Sequence, residues 1–259
     1  MIYFSIAVTS LVASFLTFFS GFGLGTILLP VFAIYYPLPI AVTLTAIVHL
    51  LNNLFKIALV FKNINWPVAI KFGLPSMISA FIGAFFLNKL SLKNNTLYTY
   101  QLFDNQFHIT LLNLIVGCLI ILFSIAEVSK KISAISFDQK YLIPGGILSG
   151  FFGGLSGHQG AIRSAFLLRL NFDKKVYIAT GVFVACLVDV TRLFLYNSKM
   201  NVLNGDSNYQ LLLLAVLSAF VGAFIGNKLF VKTSIAFFKW FVAAFMFSMG
   251  ILILSGIVN

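Results

Sequence analysis

A chain of 259 residues that is 60% hydrophobic and 9% charged, with a mean hydropathy of +1.03, is excluded as a water-soluble globule. It has too little polar material to cover so much apolar surface. Its formal charge of +11 does not signal nucleic acid, because the basic residues are scattered singly; beside apolar runs, Lys and Arg face lipid headgroups.

Apolar runs near the roughly 20 residues that cross a bilayer recur from end to end. They predict an all-α polytopic membrane protein of about eight transmembrane spans, with no separate soluble domain.

Span 1, residues 2–36, opens without the basic n-region or small-residue cleavage site of a signal peptide, and reads as a retained helix. It contains FSGFGLGTILLP (Phe19–Pro30), with Gly21, Gly23 and Gly25 in mid-run. Glycine weakens a helix there and allows backbone shapes other residues avoid. Lipid cannot satisfy a freed N–H or C=O, so such a break must lie inside protein or line a wet cavity. A helix restarting near Thr26 would aim its N-terminal amides at that cavity, which suits an anion.

Span 2, residues 39–61, carries His49, Asn52, Asn53 and Lys56 at i, i+3, i+4 and i+7, on one helical face. Singly, the amides read as interhelical hydrogen bonds, His49 as a helix contact, and Lys56 equally as a snorkelling side chain or a substrate ligand. Together the four read as the wall of a polar cavity.

Span 3, residues 67–87, ends in AFIGAFFLNKL (Ala80–Leu90). Span 4, residues 108–126, begins at His108, read as interfacial. Residues 127–141, EVSKKISAISFDQKY, form the most charged connector. It divides the chain into a first membrane repeat, 1–126, and a second, 142–259.

Span 5, residues 142–170, is interrupted by GGLSGHQGAIRSAF (Gly153–Phe166). Gly157 and Gly160 break the run, Ser156, His158, Gln159 and Arg163 make it polar, and a restart is expected near Ala161. An arginine deep in a span faces a cavity or a partner, unless it snorkels to a headgroup. In span 6, residues 175–196, Asp189 and Arg192 at i and i+3 read first as a structural pair and second as a gate. Spans 7 and 8 cover residues 210–230 and 235–257. Cys118 and Cys186 lie in apolar runs and read as packing residues.

The halves look related. AFVGAFIGNKL (Ala219–Leu229) in span 7 agrees with the end of span 3 at eight of eleven positions, Gly, Asn and Lys included. Gly25 and Gly160, and Thr45 and Thr180, share an offset of 135. Two repeats of four spans, with helices 1 and 5 interrupted, match transporters whose broken helices meet at the midplane. The balance of loop Lys and Arg favours outside termini by a small margin.

The stretches SGFGLGTILLPVFA, AVTLTAIVHLLNNLFKIALV and GGLSGHQGAIRSAFLL resemble the TauE/SafE family of membrane transporters, over nearly the whole chain. Gly21, Gly23, Gly25 and Pro30 match the first of that family's two glycine-rich motifs. The second motif departs, with His158, Gln159 and Arg163 in a region usually dominated by glycine and Ala165 in the place of the paired proline. The resemblance implies movement of sulfite, sulfonates or related organosulfur anions across the cell (plasma or inner) membrane.

Taken together, these features give a secondary transporter of a small anion, embedded in the bilayer, with no cofactor, metal or nucleic-acid partner; a homo-oligomer stays open. The alternatives are a membrane-embedded enzyme and an assembly subunit. Six acidic residues in all, with no HExxH, nucleophile elbow or phosphate-binding loop, argue against the enzyme.

Overall fold

The computed structural model describes residues 1–20, 23–92, 96–129, 131, 137–196, 206–228 and 235–258. Gly21, much of the connector 127–141, and Lys93, Lys130, Lys199 and Lys232 of the charge balance lie outside the described residues.

The protein is an all-α membrane protein with one small appendage. Its helices are α1 (Ile2–Ser20), α2 (Leu24–Ala33), α3 (Leu38–Val60), α4 (Trp66–Leu92) and α5 (Leu111–Val128). They continue with α6 (Leu142–Ser156), α7 (Gln159–Leu167), α8 (Lys174–Leu195), α9 (Asp206–Lys228) and α10 (Ile235–Leu254). Among the described residues, five stretches are long and apolar enough to cross a membrane: Leu38–Asn63, Trp66–Leu92, Leu111–Val128, Lys174–Leu195 and Asn208–Lys228. Their outward faces are apolar, as with Ile78, Phe81, Ile82 and Phe85 on α4 and Leu213, Leu217, Val221 and Phe224 on α9. Polar side chains such as Asn52, Arg163 and Asp189 are buried instead. Lipid is as apolar as a protein core, so the polar groups gather inside and partner one another.

Local chemistry sets several helix ends. Pro37 precedes α3, and its fixed φ of −51° starts the helix without a side-chain cap. Asn65 caps α4 by accepting from Val68 N at 3.1 Å, and its own N–H donates to Thr180 Oγ1 at 3.0 Å on α8. Thr110 caps α5 by accepting from Asn113 N at 3.2 Å.

Residues 96–110 correct the expectation that span 4 opens at His108. They form a hairpin, β1 (Thr96–Leu102) antiparallel to β2 (Asn105–Thr110), with Leu102 opposite Asn105 and a bulge between Thr96 and Tyr98. His108 sits on β2, where Nδ1 meets Thr99 Oγ1 across the strands at 3.0 Å. The physical reason lies in TLYTYQL: its threonines and tyrosines favour a pleated surface, and stacks such as Tyr100 on Phe107 (5.5 Å) hold the pair.

Helix pairing is reciprocal between the halves. α1 packs along α9, and α6 along α4. α4 also lies on α8, and α9 on α3. α3 meets α8 at the centre, while α5 meets α10. The two glycines shared by the similar segments occupy matching contacts. A side chain at Gly83 on α4 would run into Phe151 O and Leu155 N of α6. One at Gly222 on α9 would run into Leu11 O and Phe15 N of α1. In both places one backbone lies against another, so no Cβ fits.

Candidate functional site

Both expected helix interruptions are present, and both restart two residues earlier than the sequence suggests. Gly23, with φ 115°, precedes Leu24, the first residue of α2; the expectation was Thr26. Thr26 is instead inside the first turn, its Oγ1 donating to Gly23 O at 2.6 Å. Gly157, with φ 81°, ends α6, and His158 precedes Gln159, the first residue of α7; the expectation was Ala161. Only glycine adopts such positive φ angles without strain, so the restart follows the glycine immediately. Neither α2 nor α7 has a side-chain cap at its N-terminus. The first amides of both helices are therefore not filled by a side chain at the cap.

The two breaks lie side by side. A Cβ at Gly25 would be 3.7 Å from Gly157 O, 3.7 Å from Thr45 Cγ2 and 3.8 Å from His49 Cδ2. Gly160 and Ser156 are buried here; Ser164 Oγ donates to Gly160 O at 2.8 Å and Ser156 Oγ to Phe152 O at 3.2 Å.

The polar stripe of α3 is wholly buried, but it splits. His49 and Asn53 turn to α8: His49 Nδ1 lies 2.6 Å from Asp189 Oδ2, and Asn53 Nδ2 donates to the same oxygen at 3.4 Å. Asn52 and Lys56 turn to α1 and α9. With the Asn52 amide turned so that its nitrogen meets acceptors, Nδ2 donates to Ala219 O at 3.1 Å and Oδ1 accepts from Lys56 Nζ at 3.2 Å. Lys56 Nζ also donates to Thr17 Oγ1 at 3.1 Å. Thr17 in turn borders the first break, its Cγ2 3.3 Å from where a Cβ on Gly23 would sit.

Asp189 and Arg192 are paired, as the sequence suggests. Arg192 Nε donates to Asp189 Oδ1 at 3.0 Å, while Nη2 lies 2.9 Å from that oxygen without an aligned hydrogen bond. The other edge of the guanidinium reaches the second break. A Cβ at Gly157 would lie 2.7 Å from Arg192 Nη1, and Nη1 has no partner among the described residues. Each break is thus bordered by a cation from the second long helix of its own half, directly by Arg192 and through Thr17 by Lys56.

Arg163, one turn into α7, is 4% exposed and does not snorkel. Its Nη1 donates to Gln159 Oε1 at 3.4 Å, and its Nε lies 3.3 Å from where a Cβ on Gly181 would sit. Gln159 Nε2 has no partner among the described residues. His158 stacks on Phe123, with centroids 5.4 Å apart and rings 2° from parallel. Its Nδ1 meets Ser156 Oγ at 3.0 Å, and Nε2 has no partner among the described residues. Since Ser156 gives its proton to Phe152 O, His158 Nδ1 is the donor, and Nε2 of the neutral ring presents a lone pair.

Among the described residues, the buried bases are Lys56, Arg163 and Arg192, and the buried acid is Asp189. Asp189 pairs with Arg192, in a setting where charge is costly unless matched. Sequence reasoning did not single out Ser14, Thr17 or Tyr196. Ser14 reaches Asn52 at 2.9 Å, and Tyr196 OH donates to Gly154 O at 2.5 Å. Ser10, Ser14 and Thr17, spaced i, i+4 and i+7 on α1, carried the same facial signal as the stripe on α3.

The fold is that of a polytopic helical membrane protein, with Arg192 against one of two neighbouring helix breaks. Residues 6–253 match the model of the family described as sulfite exporter TauE/SafE. The chain belongs to that family of membrane transport proteins. No match was found among curated proteins, and none among solved structures.

Proposed function

We propose that the protein is a secondary transporter of a small oxyanion, sulfite or a sulfonate, in the plasma or inner membrane. The observation that carries the reading is a buried donor held against the second break, Arg192 Nη1, which has no partner among the described residues. Arg192 Nη1 lies against Gly157, and Gln159 Nε2 stands at the start of α7. Uncapped amides and a positive dipole end add to them. Such a cradle suits a compact anion and has no use for a cation. Among the described residues, the binding region comprises Gly23 and Gly25 with Lys56 on one side. Ser156 to Gly160, Arg163 and Arg192 form the other, with His49 and Asn53 beside Asp189 and Asn52 beside Lys56. Arg192 is thereby both the structural partner of Asp189 and an anion ligand. His158 becomes an anion donor only when charged.

The reciprocal helix pairing and the matching roles of Gly83 and Gly222 support two repeats of four spans, 1–126 and 142–259, joined by the connector 127–141. On this layout α1 with α2 and α6 with α7 form the interrupted spans, and rocking of one half against the other would expose the site alternately.

The test is uptake of sulfite and of methanesulfonate into vesicles containing only the purified protein. Saturable uptake, inhibited by other oxyanions, is expected. Vesicles no more permeable than protein-free ones would overturn the reading and favour a subunit without transport activity of its own.

A further inference from the structure

His49 belongs to α3 and Asp189 to α8, and their 2.6 Å contact joins the two halves of the chain. Asp189 is fully buried and His49 is 7% exposed. One edge of the imidazole faces the first break, with Cδ2 3.8 Å from where a Cβ on Gly25 would sit. On its other carboxylate oxygen, Asp189 holds Arg192 Nε, and Arg192 Nη1 lies against Gly157 at the second break. A continuous series of contacts therefore runs from one break to the other through His49, Asp189 and Arg192. A packing role needs no titratable group at its centre.

We propose that His49 and Asp189 form a proton-binding site linked to the anion site, so that the protein takes up a proton with each anion. This rests on the breaks being the anion site. An anion beside Gly157 draws on the guanidinium of Arg192, whose opposite side is held by Asp189. Two negative groups then compete for one cation where water does not screen them. A proton on the pair ends the competition. His49 becomes the full counter-charge of Asp189 across the 2.6 Å contact, and Arg192 is left to the anion. The carboxylate and the imidazole, in direct contact, offer the proton a shared site. The reaction is an association only: the proton binds to a nitrogen or oxygen lone pair, and no other bond changes.

Other groups act on the pair. Arg163 on α7, Cys186 on α8 and Tyr196 just beyond its end lie within electrostatic reach of Asp189. Lys56 acts on Arg163, and His158 on Arg192. His49 is in hydrogen-bond contact with the carboxylate and also borders the first break.

The experiment uses the purified full-length protein in detergent. Calorimetry counts the sulfate or methanesulfonate bound, and a pH-stat counts the protons taken up. Both probes are fully ionised at neutral pH, so a proton that moves is not theirs. The wild type is expected to take up about one proton per anion, with affinity falling as pH rises by up to about tenfold per pH unit where the proton must be taken up from solution. His49→Gln keeps a donor facing Asp189 and is expected to bind anion more weakly, with no proton taken up and no dependence of affinity on pH. Anion binding by the wild type with no proton uptake overturns this inference and leaves the anion site standing. Undiminished uptake by His49→Gln also overturns it. Absence of binding by both probes overturns the anion site and this inference together. Should His49→Gln not fold, the wild-type proton count decides the matter alone.

Discussion

The guanidinium of Arg192 fills the space that a side chain at Gly157 would need. A Cβ at Gly157 would lie 2.7 Å from Nη1, and the φ of 81° there disfavours any side chain on its own account. Conformation and close approach select glycine at the same position. The break in span 5 and the charge beside it are therefore one feature, assembled from α6 and α8.

Gly157→Ala should lower stability by about 1–3 kcal/mol through the positive φ alone. It should also push Arg192 off the break and reduce anion transport by more than the stability loss explains. Thermal unfolding in detergent, read beside transport in vesicles, checks both parts. Wild-type behaviour in the two assays would mean that the break relaxes freely and that Arg192 does not depend on it.

Asp189→Asn should destabilise the protein by about 3–5 kcal/mol, because Arg192 is left buried without its carboxylate. The double change Asp189→Asn with Arg192→Gln should recover much of that loss while abolishing anion binding. A double-mutant cycle by chemical unfolding measures the coupling. Single variants as stable as the wild type would show that the pair contributes nothing to the fold.

The glycine runs, the apolar spans and the similar segments were legible because each rests on residue type at a fixed spacing. Gly23 and Gly157 marked the breaks to within two residues. The face of α3 was read as the wall of a polar cavity, and its four polar side chains are buried. The division of that face was not legible. Whether Asn52 meets Ser14 or Asn53 meets Asp189 depends on helices brought together from 38 and 136 residues away. The hairpin was overlooked for another reason. Its Thr, Tyr and Phe residues carry a strand preference, yet hydropathy alone let His108 be drawn into the following helix. The contact of His49 with Asp189 spans 140 positions, and neither residue's local pattern names the other.

Gly83→Val and Gly222→Val should destabilise the protein to a similar degree. Each forces an opposing backbone away: Phe151 to Leu155 in one case, Leu11 to Phe15 in the other. Overpacking of this kind costs about 1–3 kcal/mol or more where the wall is main chain. Melting temperatures of the two variants provide the check. A large loss for one and none for the other would contradict the equivalence of the two halves.

Arg163→Gln should fold and insert normally, yet transport sulfite at least about tenfold more slowly, since a permanent charge beside the second break is lost. Arg163→Lys should recover part of the rate, because charge returns without the planar fork. Membrane fractionation and initial rates of uptake give the answer. Normal transport by Arg163→Gln would make Arg163 a packing residue beside Gly181.

The most direct measurement is the position of a bound oxyanion. A structure solved with selenate, whose selenium marks the ligand by its anomalous scattering, should place the anion between the two breaks. Its oxygens should lie within hydrogen-bond distance of Arg192 Nη1 and the first amides of α7. Selenate bound elsewhere, with Arg192 Nη1 still facing Gly157 alone, would contradict the assignment of the breaks as the anion site.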